Sequence, residues 1–185
     1  MSTTLHLTLS EYDSMVRLGA FDRLDRKIEL IRGELIEMNP AGPIHDDLIT
    51  YLTNWSVRSE DPLQTLVTSQ TGLDLPELQS RPEPDLMWIR LDRYRNSHPK
   101  ATDVQLAIEV SFSSLAYDLE TKRRLYAESN IQEYWIVDSQ SHCIHVHRQP
   151  IQGDYQQRSV RSIADTLSPL IQPNAKLDLR DLFVG

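Results

Sequence analysis

The chain has 185 residues, a formal net charge of −8, 39% hydrophobic and 25% charged residues. These values fit one globular domain, residues 1–185, with a real hydrophobic core, and they argue against a protein that coats nucleic acid non-specifically. Cys143 is the only cysteine, so no intrachain disulfide forms, and no apolar run is long enough to span a bilayer; the expected compartment is the cytoplasm, with no membrane partner.

Thr8-Leu-Ser-Glu11 has the form of a capping box and predicts a short helix over Leu9 to Leu18. Lys27 to Met38 reads as a hairpin turning at Arg32-Gly33-Glu34, and Asn39-Pro-Ala-Gly-Pro43 then breaks the chain. Ile44, Leu48, Tyr51, Leu52 and Trp55 recur at helical spacing and predict one apolar stripe. Strands are expected over Thr65 to Gln70 and Pro84 to Ile89. The clearest runs from Val104 to Phe112, where Val104, Leu106, Ile108, Val110 and Phe112 should share one face. A helix over Asp118 to Asn130, a strand over Glu133 to Asp138 and a hairpin arm over Cys143 to Arg148 follow. The tail from Ile163 should be loop and short helix, closing on Leu179, Leu182 and Phe183. This order predicts an α/β fold: a mixed central sheet flanked by helices, with a right-handed crossover from Val104–Phe112 to Glu133–Asp138.

Two acids stand out because their neighbours are apolar. Glu109 sits inside Leu-Ala-Ile-Glu-Val-Ser, and Asp85 opens Asp-Leu-Met-Trp-Ile. A buried carboxylate needs a partner, and two on neighbouring strands repel unless a cation lies between them. An Arg or Lys partner, or a half-exposed face, would account for either acid alone. Lys122 shares a helical stripe with Leu115, Leu119 and Tyr126; spacing alone leaves it either buried beside the acids or paired with Asp118 on the surface. Cys143, His145 and His147 alternate on one strand in a pattern that suits zinc, but a structural zinc site normally takes four ligands. The local basic stretches, Arg90 to Lys100 and Lys122 to Arg124, read first as solvated surface.

Pro84-Asp85 followed by Glu109-Val110-Ser111 resembles the PD-(D/E)XK signature of restriction-type endonucleases. A closer resemblance, to the Uma-two family of restriction-endonuclease-like proteins, covers most of the chain. It is carried by Glu29, Leu30, Gly33, Glu34, Pro40, His45, Pro84-Asp85, Glu109-Val110-Ser111, Ser113, Asp118, Lys122, Tyr126 and Glu133-Tyr-Trp-Ile-Val-Asp138. The resemblance implies a restriction-endonuclease-like fold and an endonuclease that hydrolyses DNA with Mg²⁺ or Mn²⁺. Asp85 and Glu109 would be metal ligands, the Val110 carbonyl a third, and Lys122 the catalytic lysine. Ser111 stands where the parent signature has its lysine, a role that in this family is thought to move to the following helix. His45, Ser111, Asp118, Glu29 and Gln70 are expected around the site, with Glu34 a weaker candidate; for His45 a capping or surface role competes. DNA is the expected substrate and a homodimer the expected assembly. The rival expectation is a catalytically inert module that keeps the nuclease fold for binding, which the displaced lysine and the net charge favour.

Overall fold

The computed structural model describes residues 4–184. Helix α1 (Leu9–Arg17) starts at the predicted capping box: the Thr8 hydroxyl accepts from the Glu11 amide, and the Glu11 carboxylate accepts from the Thr8 amide. Strands β1 (Ile28–Ile31) and β2 (Glu34–Glu37) form the predicted hairpin. Its turn places Arg32 at φ 52° and Gly33 at φ 80°, the left-handed pair of a type I′ connection. A Cβ on Gly33 would lie 2.9 Å from the Leu7 carbonyl oxygen, so glycine is required there for space as well as for φ.

A six-stranded sheet has the order β3-β4-β5-β6-β7-β8, made by Thr65–Ser69, Leu86–Arg90, Val104–Ser111, Glu133–Asp138, Cys143–Ile151 and Asp154–Ser162. All neighbours are antiparallel except β5 and β6. That parallel pair is joined through α3 (Leu115–Tyr117), a π-helical turn (Asp118–Lys122) and α4 (Arg123–Glu128), which follow one another without a break. Two short strands, β9 (Thr166–Leu167) and β10 (Leu177–Asp178), pair with each other before α5 (Leu179–Val184).

Each face of the sheet has its own core. Helix α2 (Pro43–Ser59) lays Leu48, Leu52 and Trp55 on Leu86, Trp88, Leu106, Ile108 and Val110, and α5 adds Leu179 and Leu182. Trp55 packs against Trp88 and Trp135 with ring centroids 5.6 and 6.2 Å away. Their indole N–H groups all find acceptors, on Lys176 O, Ser56 Oγ and Glu133 Oε1, as burial of these rings demands. On the opposite face Leu125 and Tyr126 of α4 cover Met87, Ala107, Tyr134 and Ile136.

The structure departs from the sequence expectations at four places. Val104 does not share the face of Leu106 and Ile108: the register shifts between Trp88 and Ile89, pairing Ile89 with Val104, and this bulge turns Val104 into the other core. Phe112 lies beyond the end of β5 and is 52% exposed, and Ile44, at the start of α2, is 55% exposed. Strand β8 was not anticipated, because its outward residues, Gln156 to Ser162, are polar or charged save for Val160 and give no apolar alternation.

Candidate active site

Asp85 and Glu109 meet because β4 and β5 are adjacent and Asp85 immediately precedes β4. Asp85 N–H points to Glu109 Oε2 at 3.4 Å, and Asp85 Oδ2 accepts from the Val110 amide at 2.8 Å. His45, at the start of α2, places Nε2 3.3 Å from the same Asp85 oxygen. The register that pairs Leu86 with Ile108 brings Pro84 opposite Val110, and proline has no N–H to offer. Ser111 O accepts from Ser139 N on the β6 side, so strand alternation turns the Val110 carbonyl the other way, toward Pro84 and the acids.

Lys122 comes to the acids from above the other face. It is 1% exposed, with Nζ 2.9 Å from Glu109 Oε1 and 3.4 Å from Glu29 Oε1. The surface pairing with Asp118 is therefore not what forms: Asp118 is buried as well and accepts from the Ser111 and Ser114 hydroxyls at 2.6 and 2.7 Å. Both residues bound the π turn, a one-residue insertion of a kind that recurs at functional sites. Glu29 arrives on β1, which runs beside the 81–83 segment: Arg81 N bonds Leu30 O at 2.7 Å, and Glu83 N bonds Glu29 Oε1 at 3.0 Å.

The electrostatics follow from this crowding. Burial pushes the Glu109 carboxyl up to about 8, reinforced by Asp85, Asp118 and Glu29 and opposed by Lys122. Burial raises Asp118 too, against Lys122 and its two serine donors. Burial works the same way on Asp85, but the His45 hydrogen bond and charge, the Val110 amide and Lys122 outweigh it and hold that carboxyl below its ordinary range. His45 is raised in turn, chiefly by its bond to Asp85. For Lys122, burial disfavours the charge, yet the surrounding carboxylates lift it well above its usual value.

Four carboxylates thus share one buried lysine at the floor of an open cleft of about 770 Å³. Glu29 Oε2 is buried with no hydrogen-bond partner. Surplus negative charge, carboxylate oxygens and a backbone carbonyl without an opposing N–H form the donor set a hard divalent cation takes, and Mg²⁺ or Mn²⁺ fits it.

The structure brings together Asp85, Glu109, Val110, Lys122, His45, Ser111, Asp118 and Glu29 from the expected set. Gln70 lines the same cleft, with φ 48° and its amide directed at Pro84 O and Asp85 O. Glu34 stands apart, exposed on β2 and 3.9 Å from His6. Tyr126, part of the helical stripe and of the family resemblance but not among the expected site residues, donates its hydroxyl to Glu109 Oε1 at 2.8 Å; a tyrosine in a buried helical stripe that faces an acidic strand is the available signal. The Ser114 contact had none, since it depends on the turn into α3.

The zinc pattern is rearranged. Ligand atoms of Asp138, Cys143 and His145 lie within 4.8 Å of one another, whereas His147 packs against Tyr134 and Tyr155. Asp138 Oδ1 already accepts the Gln140 and Ser141 amides, and three ligands fall short of a closed site.

The family model Uma2, described as "Putative restriction endonuclease", matches residues 9–180. The chain belongs to the Uma2 family. Among solved structures it is similar to a protein from Anabaena variabilis ATCC 29413 described as a putative nuclease belonging to DUF820, with TM-score 0.71 and 15% identity over 96% of this chain and 97% of that one. At that identity the likeness shows the fold, which is the nuclease-type mixed sheet anticipated above. No curated protein matches. Neither match speaks for the expected homodimer. Among the described residues, no helix is long and apolar enough to cross a membrane.

Proposed function

We propose that this chain is a single-domain, metal-dependent endonuclease of the cytoplasm that hydrolyses DNA phosphodiester bonds. The observation that carries the reading is the buried pair Asp85 and Glu109, held 3.4 Å apart from amide to carboxylate, with Lys122 on the second Glu109 oxygen at the floor of an open cleft. Asp85, Glu109 and the Val110 carbonyl would hold Mg²⁺ or Mn²⁺. When bound, that ion polarises a phosphate oxygen and lowers the pKa of a water.

The chain's own residues do the rest. Asp85 stays ionised because His45 and the Val110 amide stabilise its charge. Lys122 keeps its proton, so it acts as a fixed positive charge for the pentavalent phosphorus and orients the attacking water. Tyr126 and Glu29 hold Glu109 and Lys122 in place by hydrogen bond and ion pair. Ser111, in the position of the parent lysine, anchors Asp118 beneath the π turn that delivers Lys122.

The second reading, an inert binding module, is favoured by the cations among the described cleft-lining residues, Arg26, Lys27, His45 and Lys122, each of which faces a carboxylate. Incubation of plasmid and of single-stranded circular DNA with wild type, Asp85→Ala and Lys122→Met in Mg²⁺ or Mn²⁺ decides between them. Cleavage of either DNA by wild type alone supports the enzyme; both DNAs left intact by all three proteins support the module.

A further inference from the structure

The apolar pattern of the sequence overruns the core at two places, Phe112 and Ile44, and both side chains line the cleft above Asp85 and Glu109. Leu24, 37% exposed, lines it as well. Leaving large apolar side chains in water is unfavourable, and where they gather around a polar floor they commonly mark a ligand surface. Phe112 follows the Glu109-Val110-Ser111 run directly, so an aromatic ring stands three residues from the proposed metal ligand Glu109.

The cations of the cleft point the same way. Among its described lining residues these are Arg26, Lys27 and Lys122, besides His45. Arg26 is paired with Glu37 at 2.6 Å, Lys27 with Glu83 at 3.1 Å, and Lys122 is enclosed by Glu109 and Glu29. Arg123, next to Lys122 in the basic stretch, is also buried and tied to the Leu119 carbonyl and Asp154. A duplex brings two phosphate backbones where a single strand brings one, and among the described lining residues each of these cations already faces a carboxylate. A flexible strand whose bases are unpaired can instead present a flat apolar face to an aromatic ring.

We propose that the cleft takes an unpaired nucleotide strand, and that Phe112 stacks on a base beside the phosphate held at Asp85 and Glu109, with Ile44 and Leu24 completing the apolar rim. This specificity rests on the nuclease reading above for the position of the phosphate, but its test reads binding separately from cleavage.

The test is fluorescence anisotropy in Ca²⁺, a hard cation with the same preference for oxygen ligands, using a short labelled single strand and the same sequence closed into a hairpin duplex. Gels confirm that the probe stays intact. Wild type should bind the single strand more tightly than the duplex. Phe112→Ala should weaken single-strand binding by roughly five- to a hundredfold, the range for loss of one stacked base, with little change for the duplex. Phe112→Trp should restore it. Melting curves of the variants should match wild type, since the ring is half exposed. Equal binding of both probes, an unaltered single-strand affinity for Phe112→Ala, or no binding of either probe overturns the proposal. A ribose strand beside the deoxyribose one distinguishes RNA from DNA, and preference for either unpaired strand supports it. Phe112-dependent binding without cleavage in Mn²⁺ would refute the nuclease reading and leave the stacking surface standing; cleavage indifferent to Phe112 would do the reverse.

Discussion

Glu109→Gln tests the electrostatic core of the site without any substrate. In the metal-free protein Glu109 Oε1 accepts from Lys122 Nζ and Tyr126 Oη, and glutamine keeps that acceptor. What it removes is a carboxyl whose proton affinity is raised from 4.5 to about 8, first by burial and then by neighbouring carboxylates. A carboxyl raised on folding binds its proton more tightly in the folded state, so its effect is a stability loss that sets in above the unfolded value and is complete above the folded one. At about 1.4 kcal/mol for each tenfold change in proton affinity, wild type should lose on the order of 5 kcal/mol between pH 4.5 and 8 through this group. Asp118 and Glu133 are raised too, but they remain in both proteins, so the difference between wild type and Glu109→Gln isolates Glu109. The assay is urea unfolding in EDTA across pH 5 to 9. The variant should gain on wild type by a few kcal/mol at the alkaline end and by little at pH 5. Parallel stability curves would mean that folding does not raise the Glu109 carboxyl despite its burial among acids, and the case for a cation there would fall with it.

The remaining predictions use the same protein preparations. Mn²⁺ should raise the melting temperature of wild type as its concentration passes the dissociation constant, and Asp85→Asn should abolish that rise; an undiminished rise would remove Asp85 as a ligand. Lys122→Met should do more than slow cleavage by about a hundredfold. Because Lys122 lies between buried Glu109 and Glu29, its removal should also cost about 3–5 kcal/mol at pH 8 in EDTA, and Glu109→Gln in the same chain should recover part of it. Urea midpoints unchanged by Lys122→Met would show that the lysine is solvated. Leu52→Ala, at a fully buried position of α2, should cost about 2–5 kcal/mol while leaving the Mn²⁺ response in place, which separates core damage from site damage.

Periodicity and local chemistry determined much of this protein without its coordinates. The Thr8–Glu11 box, the Arg32-Gly33 turn, the stripe Leu48-Leu52-Trp55 and the strands around Asp85 and Glu109 are set by interactions a few residues apart, so the sequence displays them directly. The acids were legible for the same reason: a carboxylate inside an apolar strand is costly and therefore conspicuous. Tertiary structure alone decided what each acid meets. Spacing left Lys122 open between a surface pair with Asp118 and a buried place by the acids. The π turn and the Ser111 and Ser114 hydroxyls, which occupy Asp118, resolve it. Glu29 reaches Lys122 across 93 positions only because β1 docks beside residues 81–83. The bulge that turns Val104 to the opposite core and the end of β5 that leaves Phe112 at the cleft are likewise properties of strand register. Register is a relation between two segments, and a pattern read along one segment does not contain it.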